Sequence, residues 1–251
     1  MQIKIITLFP EMVLNLAKFG VVGRAIGSNL VNLHALNPSD FSTDPHGRID
    51  DRPYGGGPGM VMQYAPLQKA IHLAVRDEKD SHVVCLSAQG KLLDQEDVAR
   101  LGVYSNLVLV AGRYEGIDER LIEAETDEEL SVGNFVVSGG ELPAMLLVDA
   151  LVRHVPGALG HEESALQDSF VDGLLDCPHY TRPRSIQGRE VPEVLLRGNH
   201  QAIERWRKQQ ALGRTYLRRP DLFARLDLDE EQQALLEKYL QEAETQDDSH
   251  D

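Results

Sequence analysis

Hydrophobic positions in the first 75 residues alternate between strand-like and helix-like spacing. Residues 3–9 alternate apolar and polar side chains as far as Pro10, which predicts a first strand, and residues 11–19 follow with helical spacing. Prolines and glycines make residues 37–61 a long loop, and such length within a compact domain is typical of functional segments. A second helix is predicted over residues 66–75. The chain therefore opens as an α/β protein.

Three short and almost wholly apolar runs follow, over residues 83–86, 107–110 and 135–137. Runs of this kind are typical of strands buried on both faces of a parallel sheet. Residues 142–154 have helical length and spacing, with Pro143 near the first turn, where proline is tolerated. The repeated order of strand, glycine-bearing loop and helix predicts the α/β class with a parallel sheet.

The last third of the chain changes character. Residues 160–168 are polar and without clear periodicity, which favours a linker between domains. Helical patterns return over residues 190–196, 202–212 and 229–244. The predicted organisation is an α/β domain over residues 1–159, a linker over 160–169, a helical domain over 170–246 and an acidic tail over 247–251.

Each of the three predicted sheet strands runs into a loop of small residues, at positions 86–90, 111–116 and 131–141. Ligands of open α/β sheets bind where the strands end, and glycine lets backbone groups approach a ligand closely. Together the loops predict a nucleoside pocket, although each glycine alone could simply turn a strand into a helix. The glycine cluster at residues 55–59 lacks the continuation of a P-loop, and no dinucleotide fingerprint follows a strand.

The distribution of charge bears on the choice of partner. The net charge of −15 argues against a nucleic acid, because phosphate contacts supply most of that affinity. Residues 181–220, however, hold ten Lys/Arg and three Asp/Glu, with Trp206 and Tyr216 interleaved. We call this segment the cationic strip. A run of charge can be no more than a solvated face, but nine of the ten cations are arginine, which favours phosphate contacts.

Several classes are made less favourable by what the sequence lacks. Its longest apolar stretch, residues 144–152, is interrupted by Asp149 and is too short for a membrane span, and the N-terminus does not resemble an export signal, so a cytoplasmic protein is expected. Cys85 and Cys177 suggest neither a zinc knuckle nor a disulfide framework, and no cysteine chemistry is assigned. The run from His161 to Glu163 has no metal-ligand spacing and is interpreted as solvated.

Several strings point to a known family. They are TLFP (7–10), DRPYGGGPGM (51–60), LSAQG (86–90), AGRYEGID (111–118), SGGEL (138–142), DSF (168–170) and LDCPHYTRP (175–183). With these strings the chain resembles the bacterial tRNA (guanine-N1)-methyltransferases over nearly its whole length, to about Asp227. One departure is Ala88, where the family more often has proline, and it affects only local loop rigidity.

The resemblance implies the SPOUT fold, with a deep trefoil knot in the α/β domain and a helical C-terminal domain. It also implies a homodimer whose active sites form between subunits, with S-adenosylmethionine held by the backbone of the knot. The residues that would line the methyl-donor pocket on matching positions are Leu86, Gly112, Tyr114, Glu115, Val132, Gly133, Asn134, Phe135, Val136, Val137, Gly139 and Gly140.

Methyl transfer to N1 of guanine needs a base, because that nitrogen carries a proton, and a cation near the neighbouring oxygen would stabilise developing charge. The resemblance implies these roles for Asp168 and Arg153. From the residues alone, Asp168 could equally be a helix N-cap and Arg153 a snorkelling side chain at a helix end. The resemblance further implies magnesium near Glu115 and guanosine 37, next to the anticodon, as the target. The cationic strip would bind tRNA through Arg182, Arg184 and Lys208.

Two other functions stay open on the sequence. One keeps the knot and the methyl donor but makes ribosomal RNA the substrate, modified at another nucleotide or at a ribose hydroxyl. The other is a non-catalytic RNA-binding or dimerisation module, in which the glycine loops are only structural.

Overall fold

The computed structural model describes residues 1–160 and 168–247. The chain divides into two compact units, Met1–Ala165 and Leu166–Asp251. Most of the predicted linker, including the run from His161 to Glu163, and all but one residue of the predicted acidic tail lie outside the described residues.

The strands are β1 (Gln2–Ile6), β2 (Asn32–Leu36), β3 (Asp50–Asp51), β4 (Val61–Met62), β5 (Ser81–Leu92), β6 (Asn106–Ala111), β7 (Glu128–Ser131), β8 (Ser185–Ile186) and β9 (Arg189–Glu190). The α-helices are α1 (Pro10–Leu14), α2 (Gly20–Gly27), α3 (Tyr64–Val75), α4 (Gln95–Leu101), α5 (Glu119–Glu125), α6 (Glu141–Val152), α7 (His200–Arg218), α8 (Pro220–Phe223) and α9 (Glu230–Asp247). Short 3-10 helices cover Asn15–Lys18, Pro38–Phe41 and Glu193–Leu195.

A five-stranded parallel sheet in the order β2-β1-β6-β5-β7 organises the first unit. All six residues of the central strand β6 are buried. Its side chains alternate between faces, so that Leu107 and Leu109 join one apolar cluster while Val108 and Val110 join another. Helices cover both faces of the sheet, which is why the strand is apolar at every position but its first. The predicted α/β class with a parallel sheet is confirmed.

Three of the predicted elements need correction. Residues 135–137 are not a strand but an exposed loop, and the third strand is β7, whose sequence is half acidic. Residues 86–90 do not leave the strand, because β5 continues to Leu92 with a register shift between Leu86 and Lys91. A Cβ on Gly90 would lie 2.5 Å from the backbone N of Leu130, so only glycine lets the two strands come this close.

The third correction falls in the second unit. Residues 190–196 are predicted as a helix, but the structure has β9 followed by the 3-10 helix Glu193–Leu195. Pro192 cannot continue the ladder of a strand and favours the start of a short turn. The other predicted helices are present with shifted ends, and no helix within residues 1–160 and 168–247 has the length and apolarity that crossing a membrane would require.

Helix α4 begins with a capping box that also carries an ion-pair network. Asp94 accepts from the backbone N of Asp97 at 2.9 Å, and the Asp97 carboxylate accepts from the backbone N of Asp94 at 3.3 Å. Asp97 is buried and also binds Lys91 at 2.8 Å and Arg100 at 3.0 Å. Burial alone would raise the pKa of Asp97, but the hydrogen bonds from Lys91 and Arg100 outweigh it and lower the pKa.

Asp97→Asn is expected to lower the free energy of unfolding at pH 7 by about 1–3 kcal/mol, because a neutral amide replaces the buried carboxylate that accepts hydrogen bonds from Lys91 and Arg100. A lowered pKa in the folded state stabilises the protein above the unfolded pKa, and that stability is lost as the pH falls through the folded pKa. Urea unfolding at several pH values should therefore show a weaker loss of stability below about pH 4 in the variant. The exposed Asp149→Asn should change stability by less than about 0.5 kcal/mol, and equal effects of both variants would contradict this account.

In the second unit, α7 packs against α9. Gln209 of α7 donates to Glu242 of α9 at 2.7 Å, and a Cβ on Gly213 would overlap the ring of Tyr239, so the helices approach closely at glycine. Thr215 of α7 accepts a hydrogen bond from the backbone N of Leu175 at 2.8 Å. Helix α7 therefore holds the segment that precedes β8.

Candidate active site

A cavity of about 280 Å³ lies in the first unit where β6 and β7 end, beside residues 85–89 of β5. This volume is close to the lower end of the roughly 300–1,000 Å³ of small-molecule sites, and the ends of parallel strands are where such sites occur. The predicted pocket residues that line it are Leu86, Gly112, Tyr114, Glu115, Val132, Gly133, Phe135, Val136, Val137, Gly139 and Gly140. Asn134 is not among the lining residues.

Gly140 is the N-cap of α6 and packs against the end of β6. Its backbone N donates to the carbonyl oxygen of Gly112 at 2.8 Å. A Cβ at this position would lie 2.6 Å from the Cα of Ala111 and 2.9 Å from the backbone N of Gly112. Backbone cannot move away as a flexible side chain can, so this wall of the cavity requires glycine.

Arg113 and the buried Glu141 form an ion pair beside the cavity that sequence reasoning missed. The Nε of Arg113 lies 2.8 Å from Oε2 of Glu141, whose side chain is fully buried and also accepts from Thr7 at 2.9 Å. The guanidinium also donates to the carbonyl oxygen of Ser138 at 3.0 Å and lies 4.5 Å from the ring centre of Phe9. Both charged residues belong to quoted strings, AGRYEG and SGGE, which were the available signal.

The loop after β6 is held by the long loop predicted at residues 37–61. The backbone N of Glu115 donates to the carbonyl oxygen of Met60 at 2.9 Å, and that of Met62 donates to Gly116 at 2.9 Å. Tyr114 has a φ of 62°, a left-handed conformation that is uncommon for a residue with a side chain. The glycine-rich segment therefore supports a strained turn at the mouth of the cavity.

The loop over residues 134–139 offers main-chain donors to a ligand. None of its backbone N–H groups donates to an atom of the described chain. Phe135 and Val136 are 59% and 89% exposed, so this loop also presents apolar side chains outward. Such a combination suits a ligand that is recognised by backbone hydrogen bonds and is covered by apolar groups.

The cysteine and metal chemistry of the cavity is limited. Burial raises the pKa of Cys85 to about 12, with the nearby carboxylates Glu129 and Glu119 adding to the effect. The thiol therefore stays protonated and is not a nucleophile at neutral pH. Glu115 belongs to no group of three His, Cys, Asp or Glu side chains that could hold a metal in the described part of the chain.

The two predicted catalytic residues belong to different units. Arg153 is the half-buried C-cap of α6, whose length of about 18 Å separates it from the cavity at the other end of the helix. Asp168 is half-buried in the second unit and is followed by turns, so the alternative of a helix N-cap is wrong. Arg182 and Arg184 are exposed, and Lys208 is half-buried on α7.

Comparison with known proteins decides the family. Residues 1–225 match the family model described as tRNA (Guanine-1)-methyltransferase TrmD. The chain belongs to this family. The resemblance predicted from the motifs is thereby confirmed, and so is the class of enzyme, a methyltransferase.

Similar proteins agree over almost the full length. A tRNA (guanine-N(1)-)-methyltransferase of Halorhodospira halophila is 58% identical over 242 residues, which cover 96% of this chain and 92% of that protein. A protein of the same name from Shewanella sp. strain ANA-3 is 57% identical over 96% of this chain and 98% of its own. A third, from Salmonella paratyphi A, is 54% identical over 100% of this chain and 99% of its own.

Proposed function

We propose that this methyltransferase transfers a methyl group from S-adenosylmethionine to N1 of guanosine 37 in tRNA, next to the anticodon, with Asp168 as general base. The observation that carries the proposal is the cavity at the ends of β6 and β7, beside β5, in a chain that belongs to the tRNA (guanine-1)-methyltransferase family. We further propose that it works in the cytoplasm, where its substrate is found.

The cavity fits the methyl donor in its chemistry. Gly112, Gly139 and Gly140 let a ligand approach the backbone, and the loop over residues 134–139 supplies donors that no described residue occupies. S-adenosylmethionine supplies a methyl group on a sulfonium, which is intrinsically reactive. The protein's part is to bind the donor, exclude water and align the acceptor nitrogen.

Gly140→Ala is expected to weaken binding of S-adenosylmethionine at least about tenfold and to lower the free energy of unfolding by about 1–3 kcal/mol, because the added Cβ meets backbone. Calorimetric titration and urea unfolding measure the two effects. Gly27→Ala is the matched control, since a Cβ there meets nothing within 4 Å. If Gly140→Ala bound the donor as tightly as the wild type, the cavity would not be the donor site.

Asp168 would accept the proton that N1 of guanine must lose as the new bond forms. Arg153 would stabilise the negative charge that develops on the neighbouring oxygen. Both roles come from the family's pattern on these positions, and both residues carry the functional groups that the chemistry needs.

A homodimer with active sites at the subunit interface would account for the position of Arg153. This residue lies at the far end of α6 from the cavity of its own chain, so a second subunit is a simple way to bring the two together. The exposed apolar residues Phe135, Val136, Leu142 and Leu146 offer a surface for self-association. The trefoil knot of the SPOUT fold is part of this proposal and is supported by family membership.

The substrate tRNA would be bound by Arg182, Arg184 and Lys208 of the cationic strip. Magnesium would be held by Glu115, whose carboxylate is the kind of oxygen ligand that this ion prefers. The ion would supply positive charge beside the methyl-donor pocket.

Mapping the methylated nucleotide tests the proposal directly. Purified protein is incubated with labelled S-adenosylmethionine and either a tRNA transcript carrying guanosine 37, the same transcript with adenosine 37, or ribosomal RNA. We expect one methyl group on the first transcript, located at N1 of guanosine 37 by mass spectrometry, and none on the others. Methylation of ribosomal RNA alone, or saturable RNA binding without methyl transfer, would contradict it.

A further inference from the structure

Three metal-ligating side chains meet in the second unit, on the segment that precedes β8. Asp176, Cys177 and His179 each offer one ligand atom, and these oxygen, sulfur and nitrogen atoms all lie within 4.8 Å of one another. Nε2 of His179 is 2.7 Å from Oδ2 of Asp176. Across residues 1–160 and 168–247, no other group of three His, Cys, Asp or Glu side chains is placed in this way.

The backbone of this segment is fixed from both sides. The backbone N of Leu175 donates to Thr215 of α7 at 2.8 Å, and that of Asp176 donates to Ser169 at 2.9 Å. The backbone N of Cys177 donates to Oδ1 of Asp176 at 2.6 Å, which leaves Oδ2 facing His179. Pro178 restricts φ between the last two ligands. The three side chains are therefore held together before any ligand binds, which lowers the entropic cost of binding.

We propose that Asp176, Cys177 and His179 form a binding site for a borderline-soft divalent transition-metal ion, with zinc as the physiological case. One thiolate, one imidazole and one carboxylate match the ligands of zinc, whereas magnesium and calcium select oxygen alone. Tetrahedral zinc places its ligand atoms about 3.3–3.6 Å apart. The three atoms here lie within 4.8 Å of one another, so each separation needs to change by no more than about 1.5 Å. Binding releases the proton of the Cys177 thiol to solvent.

Two of the three ligands are exposed to solvent, which lets a metal ion enter the site and leaves room for a fourth ligand. The side chains of His179 and Asp176 are 71% and 36% exposed, while Cys177 is buried beneath them. An ion can therefore meet the imidazole and carboxylate first and reach the sulfur afterwards, with water as fourth ligand. An exposed ion pair of His and Asp is common on protein surfaces and contributes little to stability. An ion pair alone would not explain why the sulfur of Cys177 lies close to both of these side chains.

Cobalt(II) titration of the full-length protein tests the site, because cobalt replaces zinc and reports a bound thiolate by a sulfur-to-metal charge-transfer band. After removal of metals with a chelator, we expect this band to saturate at one cobalt per chain and to disappear when zinc is added. An excess of magnesium should leave it unchanged. A wild-type protein without a saturable band would overturn the proposal without reference to any variant.

Variants assign the ligands. Cys177→Ala should abolish the charge-transfer band, and His179→Gln and Asp176→Asn should each weaken cobalt binding at least about tenfold. Cys85→Ala, which removes the other thiol, and His72→Gln, which removes a histidine paired with Glu125 at 2.9 Å, are matched controls and should bind as the wild type does. A band that survives in Cys177→Ala or is lost in Cys85→Ala would show that the cluster is not the site.

Discussion

Asp168→Asn is expected to reduce the turnover of methyl transfer by about 10²–10⁴-fold while leaving the affinity for S-adenosylmethionine within about threefold of the wild type. The amide has nearly the shape of the carboxylate but is a very weak base, so N1 of guanine would keep its proton. Single-turnover assays with saturating tRNA measure the chemical step, and calorimetric titration measures donor binding.

The control for this prediction is Asp172→Asn. Asp172 is an exposed carboxylate four residues further along the same series of turns, so the change of charge is the same. It should retain nearly full turnover. If Asp168→Asn kept more than about a third of the wild-type turnover, Asp168 would not be the base, whereas a parallel loss in both variants would indicate a charge effect of the segment.

Replacing Arg182, Arg184 and Lys208 together by glutamine is expected to weaken tRNA binding by about 100-fold at low salt. Each phosphate contact that is lost removes about 0.7–0.9 from the slope of log affinity against log salt concentration, so the slope should fall by about 2–3. Arg184 pairs with Glu190 at 3.4 Å, but both side chains are exposed and the pair contributes little to stability. The measurement is filter binding or fluorescence anisotropy over a range of salt.

Net charge must be controlled in this experiment, because the chain already carries −15 and each substitution adds to the repulsion of RNA. The matched variant replaces three exposed cations of the first unit, Lys18, Lys69 and Arg76, by glutamine. It should change affinity less than about threefold. Equal losses in both triple variants would mean that general charge, and not the cationic strip, determines RNA binding.

The two predictions separate the halves of the proposed reaction. Asp168→Asn should bind both substrates and fail in chemistry, whereas the triple variant should lose affinity and recover much of its turnover at high tRNA concentration. A variant at Arg113 would be less informative, because its pairing with the buried Glu141 joins the cavity wall to the core. Breaking a buried pair of this kind costs about 3–5 kcal/mol and would confuse folding with function.

Local sequence was sufficient to predict those helices and strands whose burial follows from their own pattern of hydrophobic residues. The sequence predicted the apolar run of β6, the helix over Tyr64–Val75 and the helix beginning near Pro143. In each case the pattern of consecutive residues is enough to indicate complete burial or helical periodicity. The strand assigned to residues 135–137 was wrong for the same reason. A short apolar run indicates that its side chains are to be buried, but it does not indicate whether a sheet or another surface buries them.

The sequence by itself determined the α/β class, the glycine loops after β6 and before α6 and, through long and unusual strings of residues, the family. Only the tertiary structure decided that Thr7 and Arg113 converge on Glu141, that Gly140 meets the end of β6, and that a sulfur, a nitrogen and an oxygen meet at Cys177. Thr7 and Glu141 are 134 positions apart, and no local pattern encodes which distant backbone will lie beside a residue. Strand order and close packing set those distances, and the chemistry of the cavity depends on them.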